Sequence, residues 1–243
     1  MAFDFLVALA GVIAGGIAAI SGFGIGSVMT PLLAARYGTK LAVAMVSIPH
    51  LVGTAVRFVR LRQHVDRRVL IRFGVLSAVG GLLGALLNAK ADNPALSIVF
   101  GLLLLFAGIT SLTGITERMR FGRKTAWAAG ALSGIFGGMV GNQGGIRSAA
   151  LLGFEIDKET FVATATAIGL IVDGARMPVY LVMQHREVAA AWVPVTFAVA
   201  GVLIGTLGGV RILRHIPENV FRRALSVLII LLGVYMLVRG IAR

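Results

Sequence analysis

Cysteine is absent from all 243 residues, so the chain has no disulfide framework, no thiolate metal site and no cysteine nucleophile. Acids are scarce, 10 against 23 Lys and Arg, and Asp173 alone lies deep inside an apolar run. Of the histidines, His64, His185 and His215 fall in links and show no metal spacing, while His50 stands beside Pro49 within an apolar run. No G-x-x-x-x-G-K-[ST] stretch occurs, which leaves energy to come from gradients or a partner and not from a nucleotide bound by this chain. Neither metal nor cofactor is expected.

What is present is apolar: 58% of residues are hydrophobic and the mean hydropathy is +0.93. Soluble domains hold roughly 45–50% apolar residues, and here the apolar residues come in runs of about twenty, the length that crosses a bilayer as helix. The chain therefore reads as an integral membrane protein with the lipid bilayer as partner. A net charge of +13 would point a soluble protein toward nucleic acid. Most of the basic residues lie between apolar runs, as membrane topology predicts, so nucleic acid is not expected. The start, MAFDFLVALAG, carries an acid and no basic n-region, and reads as the first membrane element and not as a cleaved signal.

Apolar segments cover 3–35, 41–59, 69–89 and 95–112, and after the basic link ERMRFGRK four more cover 126–152, 161–183, 188–213 and 221–238. The two sets match at an offset of 119 residues: Gly22, Gly26, Leu32 and Leu33 become Gly141, Gly145, Leu151 and Leu152, and Val43, Ala44, Leu51 and Arg57 become Val162, Ala163, Leu170 and Arg176. This predicts an all-α polytopic membrane protein built from two homologous halves of about four helical segments each. The first repeat takes 1–114, a basic cytoplasmic linker 115–125 and the second repeat 126–243.

The first segment of each half is too long for one crossing at 1.5 Å per residue. Glycines 22, 24 and 26, and 141, 144 and 145, are the expected break points, with short helices over 27–35 and 146–153 leaving them. Such a helix turns unpaired N–H groups and a partial positive charge into the protein, which makes an anion site. Gly80, Gly81, Gly84, Gly201 and Gly205 read instead as close helix-packing positions. If the first segments are re-entrant the repeats are inverted, and if they span the repeats are parallel. Counting Lys and Arg over the links favours the inverted arrangement by a small margin.

Charged residues inside membrane segments are functional candidates. Arg147 follows the second glycine break, where its planar fork can meet an oxyanion; the other reading is an interfacial arginine that reaches the headgroups. Its partner in the repeat register is Val28, so the halves are not chemically equivalent. Asp173 and Arg176 are spaced to pair along one helix face. Asp173 is the coupling candidate, taking a proton and releasing Arg176 to an anion, with a purely structural ion pair as the alternative. Arg57, followed by Arg60 and Arg62, is either an anion contact or a cytoplasmic anchor. Ser27, Asn142 and Gln143 flank the breaks and complete the expected substrate-binding set of Gly22, Gly24, Gly26, Ser27, Gly141, Asn142, Gln143, Gly144, Gly145, Arg147, Arg57 and Arg176. Pro49 is expected to kink its helix and Pro178 to open the backbone beside Arg176, with His50 making a kink-site hydrogen bond or, as the alternative, relaying a proton.

On these residues, and best on GFGIGSVMTPLL at 22–33, the chain resembles the sulfite exporter TauE/SafE family of membrane permeases. The resemblance spans nearly the whole length: two four-segment halves, a glycine-rich element opening each, and a basic central link. It implies export, in some members uptake, of sulfite, sulfonates or other small organic anions across the bacterial cytoplasmic membrane; with only Asp173 and a few hydroxyls beside the arginines, no enzymatic activity is expected. The second half departs from the pattern, with Ala150 where proline is expected and Asn142, Gln143 and Arg147 as polar additions. The expected function is a secondary transporter working by alternating access, with a small anionic substrate, a proton or sodium ion as coupling partner, and a homo-oligomer compatible with the pattern. An intramembrane enzyme acting on lipid-linked phosphate and an anion channel are the alternatives.

Overall fold

Without water to satisfy their peptide groups, long apolar runs are driven to helix. The computed structural model, which describes residues 1–115, 123–142, 144–151, 154, 156–213 and 218–242, is helical throughout, with no strand among those residues. Gln143 and most of the basic linker lie outside the described residues. The first half comprises α1 (Ala2–Ser21), α2 (Ile25–Tyr37), α3 (Thr39–Leu61), α4 (Val75–Lys90) and α5 (Asn93–Thr113). The second comprises α6 (Arg123–Val140), α7 (Gly144–Leu151), α8 (Lys158–Ala190), α9 (Trp192–Leu213) and α10 (Glu218–Ile241). Six spans within this set are long and apolar enough to cross a membrane, and Trp127–Val140 and Trp192–Gly208 are shorter apolar stretches.

The long first segments do break at glycine. Gly22 ends α1 in the left-handed conformation at φ 78°, its N–H returned to the Ala18 carbonyl, and Gly141 follows α6 at φ 75° with its N–H on the Gly137 carbonyl. A side chain is strained at such angles, so glycine fits these turns. The short helices begin two residues earlier than expected, at Ile25 and Gly144, and α2 runs on to Tyr37; Gly153, the expected end of the second, lies outside the described residues. Pro49 sits within α3, which runs unbroken across it. In α8 the non-helical residue is Gln184, and the helix continues past Pro178.

The packing glycines act as anticipated. A Cβ on Gly201 or Gly205 would meet the backbone of Ala8 or Val12 on α1, and one on Gly80 or Gly84 would meet the backbone of Ala131 or Ile135 on α6. These contacts also fix direction. Residues ascend together along α1 and α9 and along α4 and α6, so each pair is parallel. On α3 and α8, Ser47 meets Met177, His50 meets Asp173 and Thr54 lies by Gly169, so that pair is antiparallel. Helices α5 and α10 are antiparallel too, with Gly101 against Gly233 and Gly108 against Ser226. The two breaks face one another, since a Cβ on Gly26 would strike the Gly141 carbonyl and Phe23 packs on Gly144.

Candidate anion site

Helical spacing gathers the polar residues of α3 and α8 onto facing stripes. His50, Thr54 and Arg57 fall at i, i+4 and i+7 on α3; Asp173, Arg176 and Tyr180 fall at i, i+3 and i+7 on α8; all six are buried. The antiparallel packing of the two helices brings His50 Nδ1 within 2.6 Å of Asp173 Oδ2. An ionised carboxylate can only accept, so the proton of this bond sits on the imidazole. Arg176 donates from Nε to Asp173 Oδ1 at 3.0 Å, and its Nη2 lies 2.8 Å from the same oxygen. Its remaining nitrogen donates to the Gly137 carbonyl, and the Tyr180 hydroxyl donates to the Gly138 carbonyl, tying α8 to the end of α6. Every nitrogen of Arg176 is therefore engaged.

Arg57 is held less completely. Its Nη2 donates to Thr54 Oγ1 at 3.2 Å, while Nε and Nη1 have no partner although the residue is only 4% exposed. Arg147 repeats the condition from another direction. It projects from the second turn of α7 and donates from Nη2 to the Gly22 carbonyl at 3.1 Å, so the helix after the second break is tied to the first break. Its Nε and Nη1 are unpartnered at 2% exposure. The two guanidinium groups flank Thr54. A Cβ added to Gly169 would lie 3.1 Å from Arg147 Nη1 and 3.6 Å from the Thr54 methyl carbon, and the charges of Arg57 and Arg147 repel one another.

Buried charge does not balance here. Among the described residues three arginines are buried against one acid, Asp173, which leaves two positive charges in the interior when His50 is neutral. An unpaired ion taken from water costs several kcal/mol, and four guanidinium N–H-bearing nitrogens without acceptors add to that cost. An oxyanion is the chemical complement, because guanidinium forks donate paired hydrogen bonds to planar or tetrahedral oxygens. Four more buried polar atoms stand unpartnered among the described residues: Thr30 Oγ1 on α2, Thr166 Oγ1 on α8, Asn142 Nδ2 at the second break and Thr206 Oγ1 on α9, the last against Gly53. Asn142 lines a small cavity with Phe106, Ala107, Gly145 and Ile146.

The model of the family described as Sulfite exporter TauE/SafE matches residues 7–236 of this chain. The chain belongs to the TauE/SafE family. As a TauE/SafE protein it is a multi-pass membrane transporter of sulfite or related anions. No curated protein and no solved structure matches the chain.

Within this TauE/SafE chain the expected residues are divided. Arg147 and Gly22 are in contact, Arg57 joins them around Thr54, and Gly26, Gly141 and Gly144 form the contact between the breaks. Arg57 is buried, whereas its neighbours Arg60 and Arg62 are not among the buried residues. Asp173 and Arg176 pair as their spacing predicted, and Gly24 caps α2 with Ser27 buried in its first turn. Gly145 faces Ala107 on α5 and lines the Asn142 cavity. His50, Thr54 and Tyr180 were missed as partners of the charged residues. The signal was their periodicity, since each shares a helical face with an arginine.

Proposed function

We propose that the chain is a secondary transporter that carries a small oxyanion, sulfite or a sulfonate, out across the bacterial cytoplasmic membrane by alternating access. One observation carries the reading: Arg57 and Arg147, both buried, keep Nε and Nη1 without acceptors around Thr54. The anion accepts from these nitrogens, and the N-terminal ends of α2 and α7 add unpaired N–H groups and partial positive charge from the two glycine breaks. In this reading Gly22, Gly24, Gly26 and Ser27 at the first break and Gly141, Asn142 and Gly144 at the second flank the path of the anion, while Gln143 and Gly145 stay candidates from the sequence alone. Arg176 takes part when Asp173 lets it go.

The halves 1–114 and 126–243 are read as inverted repeats. Helices at equivalent places, α3 with α8 and α5 with α10, run antiparallel, while α1 with α9 and α4 with α6 run parallel. An in-plane two-fold exchanges these pairs and supports the reading. Rocking one half against the other would open the arginine pair to alternate sides. Asp173 is the coupling group: a proton shared by His50 and Asp173 weakens the hold on Arg176 and changes the charge the substrate meets.

The test is flux in proteoliposomes, with sulfite, sulfoacetate, acetate and phosphate offered in turn with and without a pH gradient. Saturable, counterflow-competent movement of a sulfur oxyanion, lost in Arg57→Gln and Arg147→Gln, is the expected result. Flux that never saturates makes the protein a channel, and no flux above empty liposomes removes the anion reading. Asp173→Asn is expected to move the anion down its own gradient without response to pH; an unchanged pH response clears Asp173 of the coupling role.

A further inference from the structure

The charge count around Thr54 goes further than the class of ligand. Among the described residues the buried ionisable groups of the site are Arg57, Arg147, Arg176, Asp173 and His50. Asp173 is spent on Arg176, with two nitrogens of the arginine on one carboxylate oxygen, and on His50. Arg57 and Arg147 have only neutral acceptors, the Thr54 hydroxyl and the Gly22 carbonyl. Each still has unpartnered N–H groups on Nε and on Nη1, on different edges of the planar guanidinium and each able to donate to a separate ligand oxygen. Two cations with free donors and no compensating charge call for a ligand with two charges and several acceptor oxygens.

We infer that the site selects dianions over monoanions of the same shape, so that the transported species is sulfite in its fully deprotonated form or a compound bearing two anionic groups. This rests on the anion-transport reading and narrows it. A monoanion neutralises one arginine and leaves the other cation buried and unpaired, and that is the costly condition. The Asp173–Arg176 pair is itself the precedent for what a single acid does at such an arginine. In the 119-residue register Thr54 stands where Asp173 stands, and Arg57 where Arg176 stands. Placing an acid at Thr54 would therefore neutralise Arg57 in a geometry that this fold already accommodates once.

The experiment measures binding to the detergent-purified full chain by calorimetry at fixed ionic strength, with two matched pairs of probes whose charge does not change near neutral pH. Sulfate is compared with methanesulfonate, and sulfoacetate with 2-hydroxyethanesulfonate. Wild type is expected to favour the dianion by at least about tenfold in whichever pair binds. Thr54→Asp keeps all three arginines, and is expected to reduce that preference to about unity or reverse it; Arg147→Gln is expected to do the same by removing a cation. Equal affinities in wild type, or tighter binding of the monoanion, overturn the charge assignment and leave anion transport standing. A preference that survives Thr54→Asp unchanged shows that Arg57 does not set it, and overturns the inference as well. Failure of all four probes together with absent sulfite flux takes down the anion reading on which this one rests.

Discussion

Arg147→Met separates an arginine kept for a ligand from one kept for the fold. In the empty protein Arg147 is 2% exposed and has one accepting partner, the Gly22 carbonyl at 3.1 Å. Burying an unpaired cation costs several kcal/mol, and one hydrogen bond from a charged donor returns only about 1.5–3 kcal/mol. Methionine has similar length, fills the same apolar corridor and carries neither the cost nor the return. Empty Arg147→Met is therefore expected to match wild type or exceed it by up to about 1–4 kcal/mol, with each kcal/mol moving the midpoint by about 2–4 °C in a chain of this size. Anion-dependent stabilisation runs the other way: wild type gains about 2.7 kcal/mol at a ligand concentration a hundredfold above Kd, and the variant gains nothing. The assay is thermal unfolding in detergent with and without sulfite at matched ionic strength. A variant melting more than about 5 °C below wild type without anion would make Arg147 a structural brace between the two breaks and refute the argument.

Gly26→Ala places a methyl group against the Gly141 carbonyl and is expected to cost about 1–3 kcal/mol and most of the flux; Gly174→Ala, which meets open space on α8, is the silent control in the same melting and flux assays. Ile156→Cys, in a chain with no other thiol, is expected to react with an impermeant maleimide from the cytoplasmic side alone, and labelling only from outside contradicts the inverted arrangement. Asp157 caps α8, accepting from the Thr160 hydroxyl at 2.6 Å and the Thr160 amide at 3.0 Å, and these bonds hold its carboxyl below the ordinary carboxylate range. A carboxyl with a depressed folded pKa contributes fully above its unfolded value and loses that contribution as pH falls through the folded one. Amide exchange at Thr160 is thus expected to be slow at neutral pH and to speed up in Asp157→Ala, while unchanged exchange would deny the cap a role.

The helical class, the breaks and the charged candidates were legible because each rests on a local rule. Run length gave the helices, glycine clusters at 22–26 and 141–145 gave the breaks, and i, i+3 spacing gave Asp173–Arg176. What the string concealed is what lies across from what. His50 read as a kink-site residue because the natural eye follows Pro49, yet its partner is 123 positions away on α8. Arg57 read equally well as an anchor, since Arg60 and Arg62 follow it; only the packing of α3 between α8 and α9 draws it inside. Pro49 and Pro178 lie within α3 and α8, and both helices continue across them.

The 119-residue register that we read as a duplication pairs Arg57 with Arg176, three places after residues 54 and 173. In the second half that earlier residue is an acid, and the arginine closes on it and on α6, becoming part of the scaffold. In the first half it is threonine, which accepts a single hydrogen bond and returns no charge, so Arg57 stays a cation in search of a partner. Arg147 has no copy, since Val28 occupies its equivalent position, and it enters the same space from the opposite break. Both free cations lie around Thr54, where α3 meets Gly169 of α8. Because a ligand bridging them touches α3 from the first half and α7 from the second, its binding energy acts across the line along which the halves would have to move.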